Sequence, residues 1–329
     1  MTALAPTLQA FFTERLMTQR NASPRTIAAY RDTLALLLRF AQQQTGKEPC
    51  QLDIDDLDAP LIGAFLDHLE RARGNSISTR NARLAAIHSL FRYASLRHPE
   101  HARTIARVID IPSKKHARPV ISYLNTDEIK ALLRAPDLGT WLGRRDHAIL
   151  LLTFQAGLRV SELTALNVSS LAFGTGAHVR VLGKGRKHRS VILTRETVAV
   201  LEQWCRERGG EPNDPLFTTR RGDRMTSKAV AWLLDKHAHA AAVSCSSLAA
   251  KHVTPHVLRH TNAMMLRGKG VDIFTIALWL GHESTKSTEI YLHADNKLKQ
   301  EAIDRTTPTG TLPGRYQAPD RVLAFLEQL

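Results

Sequence analysis

Apolar positions along the first hundred residues recur at helical spacing. Ile27, Tyr30, Leu34, Leu37, Leu38 and Ala41 follow Ser23-Pro24, a pair that places a hydroxyl cap before a proline at the first helical position. A second helix is predicted from Pro60 to Arg73, burying Leu61, Phe65 and Leu69 and stopping near Gly74-Asn75. A third runs from about Ser78 to about Leu96 with Leu84, Ile87, Phe91 and Ala94 inward. Its opposite face is expected to carry Arg80, Arg83 and Arg92. Periodicity fades over residues 99–120, where Pro99, Pro112 and Pro119 punctuate a basic stretch. It resumes at Asn125, with Glu128 three residues on as in a capping box. Residues 177–194 alternate with period two around Gly183-Lys184-Gly185, the pattern of a β-hairpin. After Glu196 helical spacing returns, and the Ala/Ser-rich stretch from Ala238 to Ala250 reads as a surface loop or frayed helix end.

The elements predict a mainly α chain with one small β-sheet. Four segments follow: a helical domain at 1–105, a basic linker at 106–122, a second domain at 123–305, and a tail at 306–329 whose last apolar residues, Val322 to Leu329, have the makings of a helix.

Composition changes the picture in one respect. Of 329 residues, 43% are hydrophobic and 23% charged, ordinary for a globular protein, but 45 Lys+Arg stand against 31 Asp+Glu, a formal charge of +14. The excess is spread over both halves, which favours a polyanion surrounded by the protein, nucleic acid foremost. Arg80, Arg83 and Arg92 are therefore candidate phosphate contacts, as are Arg186, Lys187 and Arg189 on the hairpin. Cys50, Cys205 and Cys245 are too few and too far apart for a disulfide framework or a metal pair, no apolar run reaches membrane-spanning length, and the first residues lack a signal-peptide pattern. A cytoplasmic setting is expected.

The chemistry concentrates in three clusters: Gly157-Leu158-Arg159, His256-Val257-Leu258-Arg259-His260, and Leu280-Gly281-His282 followed by Tyr291. Breaking a phosphodiester without a metal needs fixed cationic donors for the non-bridging oxygens, and the planar fork of arginine suits that task. It also needs a nucleophile able to form a covalent intermediate, which a tyrosine supplies, and a proton for the departing oxygen, which a lysine or histidine supplies. His256 and His260 are spaced as a zinc pair would be, but Val-Leu-Arg between them lacks the Glu of HExxH.

These clusters, together with Gln155 to Leu163, Val181 to Lys187 and Ser23-Pro24-Arg25-Thr26, resemble the tyrosine recombinase family, the phage integrase and Xer group of site-specific recombinases. The resemblance implies a two-domain clamp on double-stranded DNA, with an N-terminal helical core-binding (SAM-like) domain and a catalytic domain. It implies that Tyr291 attacks the scissile phosphate, Arg159 and Arg259 hold its oxygens, Lys184 serves as general acid, and His256 and His282 assist. Glu162 orients an arginine or histidine. No metal or other cofactor is implied. A synaptic tetramer on DNA is, with the C-terminal helix docking on a neighbour, and the tail favours a mobile-element enzyme. The same residues leave open a non-catalytic DNA-binding regulator or architectural protein of this fold, a metal-dependent nuclease, and a type IB topoisomerase-like activity.

Overall fold

A computed structural model describes residues 4–115, 121–183, 187–282 and Thr288. The chain divides into two units between residues 119 and 120.

The first unit is helical throughout. Helix α1 (Leu4–Ala10) continues as a wider π-wound segment, Phe11–Gln19. Next come α2 (Pro24–Thr45), α3 (Ala59–Arg71), α4 (Ile77–Ala94) and α5 (Ala102–Ile109). The starts are fixed by side-chain caps: Ser23 accepts the Thr26 N–H, Asp58 that of Leu61, and Ser76 that of Thr79. Phe11, Leu37, Ile62, Phe65, Leu66, Leu84, Ile87 and Phe91 interlock in one core. Each such side chain contributes about 1.5–3 kcal/mol on burial, which outweighs the individual helix propensities.

Two expectations change here. The helical domain does not stop at residue 105, because α5 runs to Ile109 and Val108 is fully buried. The chain beyond it is also tied down. Arg80 donates to the Pro112 carbonyl at 3.1 Å, Asn81 exchanges hydrogen bonds with the Lys114 backbone, and Lys114 Nζ meets Glu70 at 2.7 Å. Arg80 is accordingly not on a solvated face. It is only 6% exposed, its Nε 3.5 Å from Glu70, and its guanidinium is committed to fold closure rather than to a phosphate. Arg83 is half-buried and Arg92 exposed.

The second unit is built around α7 (Trp141–Ala156), in which Ala148 to Leu152 are buried in succession. Around it lie α6 (Thr126–Arg134), α8 (Val160–Ala165), α9 (Arg195–Arg208), α10 (Ser227–Ala242), α11 (Pro255–Gly268) and α12 (Ile273–Leu280). Asn125 and Glu128 form the expected capping box on α6. The stretch from Ala238 is the inward-packed end of α10, with Ala238 and Ala241 buried, followed by a 3₁₀ turn at Ser246–Ala250 that buries Leu248.

The sheet has three antiparallel strands in the order β1 (Leu171–Ala172), β2 (His178–Leu182), β3 (His188–Ile192). Val179 pairs with Val191 and Val181 with Arg189, and these positions share the inward face. The two-residue β1 carries no alternation long enough to read from sequence.

Candidate active site

Helix α7 ends at Gly157, whose φ of +59° lets the chain turn directly into α8. A Cβ there would lie 2.6 Å from Leu280 Cδ2 and 3.0 Å from Asn262 Oδ1, so space and backbone conformation both demand glycine. Arg159 follows at the N-cap of α8 and is held from two sides. Glu162 accepts its backbone N–H at 2.8 Å and its Nη1 at 2.7 Å, while its Nη2 donates to the Gly281 carbonyl at 3.1 Å.

Arg259 comes from α11 and is 3% exposed. Its Nη1 donates to the Gly157 carbonyl at 2.6 Å and its Nη2 to the Leu280 carbonyl at 2.8 Å. Arg189, from β3, donates through Nε to the Trp279 carbonyl at 3.2 Å. Three arginines thus bind three successive carbonyls, 279 to 281, at the C-terminal end of α12, where a helix leaves acceptors without intrahelical donors. Residues distant in sequence are brought to one point by a few backbone oxygens.

Arg189 departs from the expected role of phosphate contact. It lies on the inward face of β3, and Glu162 accepts its Nη1 and Nη2 at 2.9 and 2.8 Å. Charge alone made it a candidate phosphate contact; the alternation with Val191 was the signal for the inward position. Glu162 is 4% exposed. Burial pushes its carboxyl pKa up, but the hydrogen bonds from Arg189 and from the Arg159 backbone, with the Arg189 charge, outweigh that and hold it below the ordinary value.

Burial and neighbouring charges disfavour the protonated form of the three site histidines. Burial, then the Arg259, Arg159 and Arg189 charges, lower His282 from 6.5 to about 4. Its Nδ1 is 2.7 Å from the Thr288 hydroxyl. His260 is also lowered to about 4, by burial and then by His256 and Arg259. His256, on the more accessible edge of α11, is lowered by partial desolvation and by the two arginines. A neutral imidazole offers one donor and one acceptor, suited to relaying a proton beside fixed cations.

Lys187 is exposed at the turn end of the hairpin, where its carbonyl accepts the Gly183 N–H at 2.8 Å. A cleft of about 240 Å³ opens between these two residues and the Leu278, Gly281 and His282 end of α12. Lys184, Arg186, Tyr291 and the tail at 306–329 lie outside the described residues. Among the described residues, no group of three or more His, Cys, Asp or Glu is placed to hold a metal ion, and no helix is long and apolar enough to cross a membrane.

Both units match known proteins. The phage integrase family model matches residues 122–297, and the phage integrase N-terminal SAM-like domain matches residues 10–98. The chain is 49% identical over 327 residues to y4rC of Sinorhizobium fredii, provisionally named an integrase/recombinase, covering 99% of this chain and 98% of that one. It is 35% identical over 305 residues to tyrosine recombinase XerC of Pelobacter propionicus, covering 92% and 95%. In fold it resembles a XerH site-specific recombinase bound to a palindromic difH substrate in a post-cleavage complex, with a TM-score of 0.70, 21% identity, and 87% and 81% of the two chains covered. It also resembles the Tn1549 transposon integrase in complex with transposon right-end DNA, with a TM-score of 0.68, 18% identity, and 93% and 99% covered. With the family models covering both units and the arginine motifs converging on α12, the chain belongs to the phage integrase family of tyrosine recombinases, enzymes that cleave and rejoin DNA.

Proposed function

We propose that this enzyme recombines double-stranded DNA through a 3′-phosphotyrosine formed on Tyr291. The Tyr291 hydroxyl gives its proton to a site histidine as its oxygen attacks the scissile phosphorus, the bond from phosphorus to the 5′-oxygen breaks, and Lys184 delivers a proton to that oxygen. Arg159 and Arg259 hold the non-bridging oxygens as charge builds on them. Attack by the 5′-hydroxyl of a partner strand reverses the step, and the bond energy is conserved without a nucleotide cofactor. His256 and His282 pass protons and hydrogen-bond the phosphate, and Arg83, Arg92, Arg186 and Lys187 contact the backbone of the duplex. The working assembly is a synaptic tetramer on two DNA sites, bridged by the C-terminal segment. The setting is the cytoplasm, and the task is movement of a mobile element, in keeping with the integrase names of y4rC and the Tn1549 protein.

The observation that carries this reading is the anchoring of Arg159 and Arg259 to the successive carbonyls of Gly281 and Leu280, immediately before His282. Covalent trapping tests it. Wild-type protein and Tyr291→Phe are incubated in EDTA with fragmented DNA from the source locus and denatured in SDS, and protein-linked DNA is sequenced. A DNA adduct on wild type alone is expected. No adduct, with binding intact on a verified cognate site, would overturn the catalytic assignment of Tyr291.

A further inference from the structure

Glu162 is a buried carboxylate facing two guanidiniums at once. Its Oε1 accepts from Arg159 Nη1 at 2.7 Å and Arg189 Nη1 at 2.9 Å; its Oε2 accepts from the Arg159 backbone N–H and Arg189 Nη2, both at 2.8 Å. The two arginines differ in what else they can reach. The Arg159 side chain keeps 27% of its surface exposed and Arg189 only 12%. Arg189 is further fixed by the Trp279 carbonyl, and it lies so close to Gly281 that a Cβ there would come within 2.8 Å of its Nη1.

A carboxylate beside a phosphate-binding arginine has two opposed effects. It fixes the guanidinium, but it also cancels the charge the phosphate needs and repels the phosphate directly. With Arg159 as its sole partner, buried Glu162 would form a neutral pair with it. Arg189 removes that conflict. It supplies a second full charge and a bidentate grip on the same two oxygens, so that Glu162 orients Arg159 without neutralising the site.

We infer that Arg189 is a positioning residue of the recombination reaction: it balances the charge of Glu162 and locks it, leaving Arg159 oriented and cationic for the scissile phosphate. The inference rests on the phosphate-binding role proposed for Arg159. It assigns Arg189 its main effect on the cleavage step and little on overall DNA affinity, because its guanidinium faces protein groups and the scissile phosphate is one contact among many along the duplex.

The test uses full-length wild type, Arg189→Met, Arg189→Lys, Glu162→Gln and the Arg189→Met/Glu162→Gln double variant. The probe is a duplex carrying the sequence captured by wild-type trapping, nicked near the cleavage position so that the covalent adduct accumulates. Affinity, adduct rate at saturating DNA and urea midpoint are measured for each. Arg189→Met is expected to bind DNA as wild type does and to lose about 10²-fold in adduct rate, the scale of a misplaced reacting group. Arg189→Lys, which keeps the charge but not the fork, falls between them. The double variant recovers about tenfold over Arg189→Met, since the uncharged amide no longer neutralises Arg159. Three results would each overturn the inference: an Arg189→Met rate equal to wild type, a double variant no faster than Arg189→Met, or a rate loss accounted for by the unfolded fraction alone. If wild type forms no Tyr291-dependent adduct, the catalytic reading falls first and this inference with it; a normal wild-type adduct confines any failure to Arg189.

Discussion

Replacing Gly157 by alanine perturbs the site through one methyl group, and the structure says by how much. Two costs are separable. The left-handed backbone at φ +59° costs an alanine about 1 kcal/mol relative to glycine. The methyl would also arrive 2.6 Å from Leu280 Cδ2 and 3.0 Å from Asn262 Oδ1, and both neighbours are buried. Forcing them apart adds about 1–3 kcal/mol of overpacking. Together these reach about 2–4 kcal/mol, a large share of the ~5–15 kcal/mol that holds a domain folded. The displacement also reaches Arg259, proposed to hold the phosphate, because Gly157 and Leu280 supply the two carbonyls that fix it.

The assay is urea unfolding followed by tryptophan fluorescence. Trp141, Trp204, Trp232 and Trp279 all belong to the second unit, so the signal reports that unit alone. The Gly157→Ala midpoint is expected to fall by roughly 1 M at unchanged slope. Leu280→Ala, which opens room for the methyl, should make the double variant less destabilised than the sum of the singles by about 1 kcal/mol. Strict additivity would leave only the backbone cost and refute the packing argument; an unmoved midpoint would refute both.

Acid weakens the same unit. For His260 and His282 the unfolded value is 6.5 and the folded value about 4, so below 6.5 the unfolded chain binds protons that the folded one refuses. Their contribution is complete above 6.5 and is lost as the pH falls towards 4, with Glu162, whose folded value is depressed, adding to the loss below its unfolded 4.5. Urea midpoints across that window should fall with pH, and His282→Gln should flatten the slope; an unchanged slope would show that His282 is not the group being titrated. Arg80→Ala is expected to destabilise the first unit by about 2 kcal/mol through loss of its part-buried hydrogen bonds to Pro112 and Asn81. Far-UV circular dichroism, which sees the helices of the tryptophan-free first unit, should record the earlier transition. A loss of DNA affinity at unchanged stability would instead put Arg80 on the DNA.

Much of the architecture was legible along the chain because local chemistry set it. Ser23-Pro24 and Asn125 with Glu128 start helices where their hydroxyl, ring and carboxylate dictate, and the alternation around Gly183 folds as a hairpin. Arg80 and Arg189 were misplaced for one shared reason. Arg80 stands four residues before Leu84, seven before Ile87 and eleven before Phe91, on the buried stripe of α4. Arg189 stands two before Val191, on the buried face of β3. In both, periodicity pointed inward while charge suggested solvent, and periodicity prevailed because a partner waited inside: Glu70 and the Pro112 carbonyl for one, Glu162 for the other. Such partners lie far away in sequence, and no local pattern announces them. The convergence of Arg159, Arg189 and Arg259 on α12 was unreadable on the same ground, since backbone carbonyls leave no mark in a sequence.

That convergence bears on why the site remains cationic. A helix C-terminus carries about half a negative charge spread over its last carbonyls. Arginines held by such oxygens gain direction and hydrogen bonds while keeping most of their field, whereas a carboxylate would fix them equally well and cancel it. Arg259 has carbonyl acceptors at both Nη atoms. Arg159 has one carbonyl and one carboxylate, and there a third arginine shares the carboxylate. Three guanidiniums against one carboxylate leave two positive charges in a largely buried setting, where an arriving phosphate encounters less screening than at the open surface.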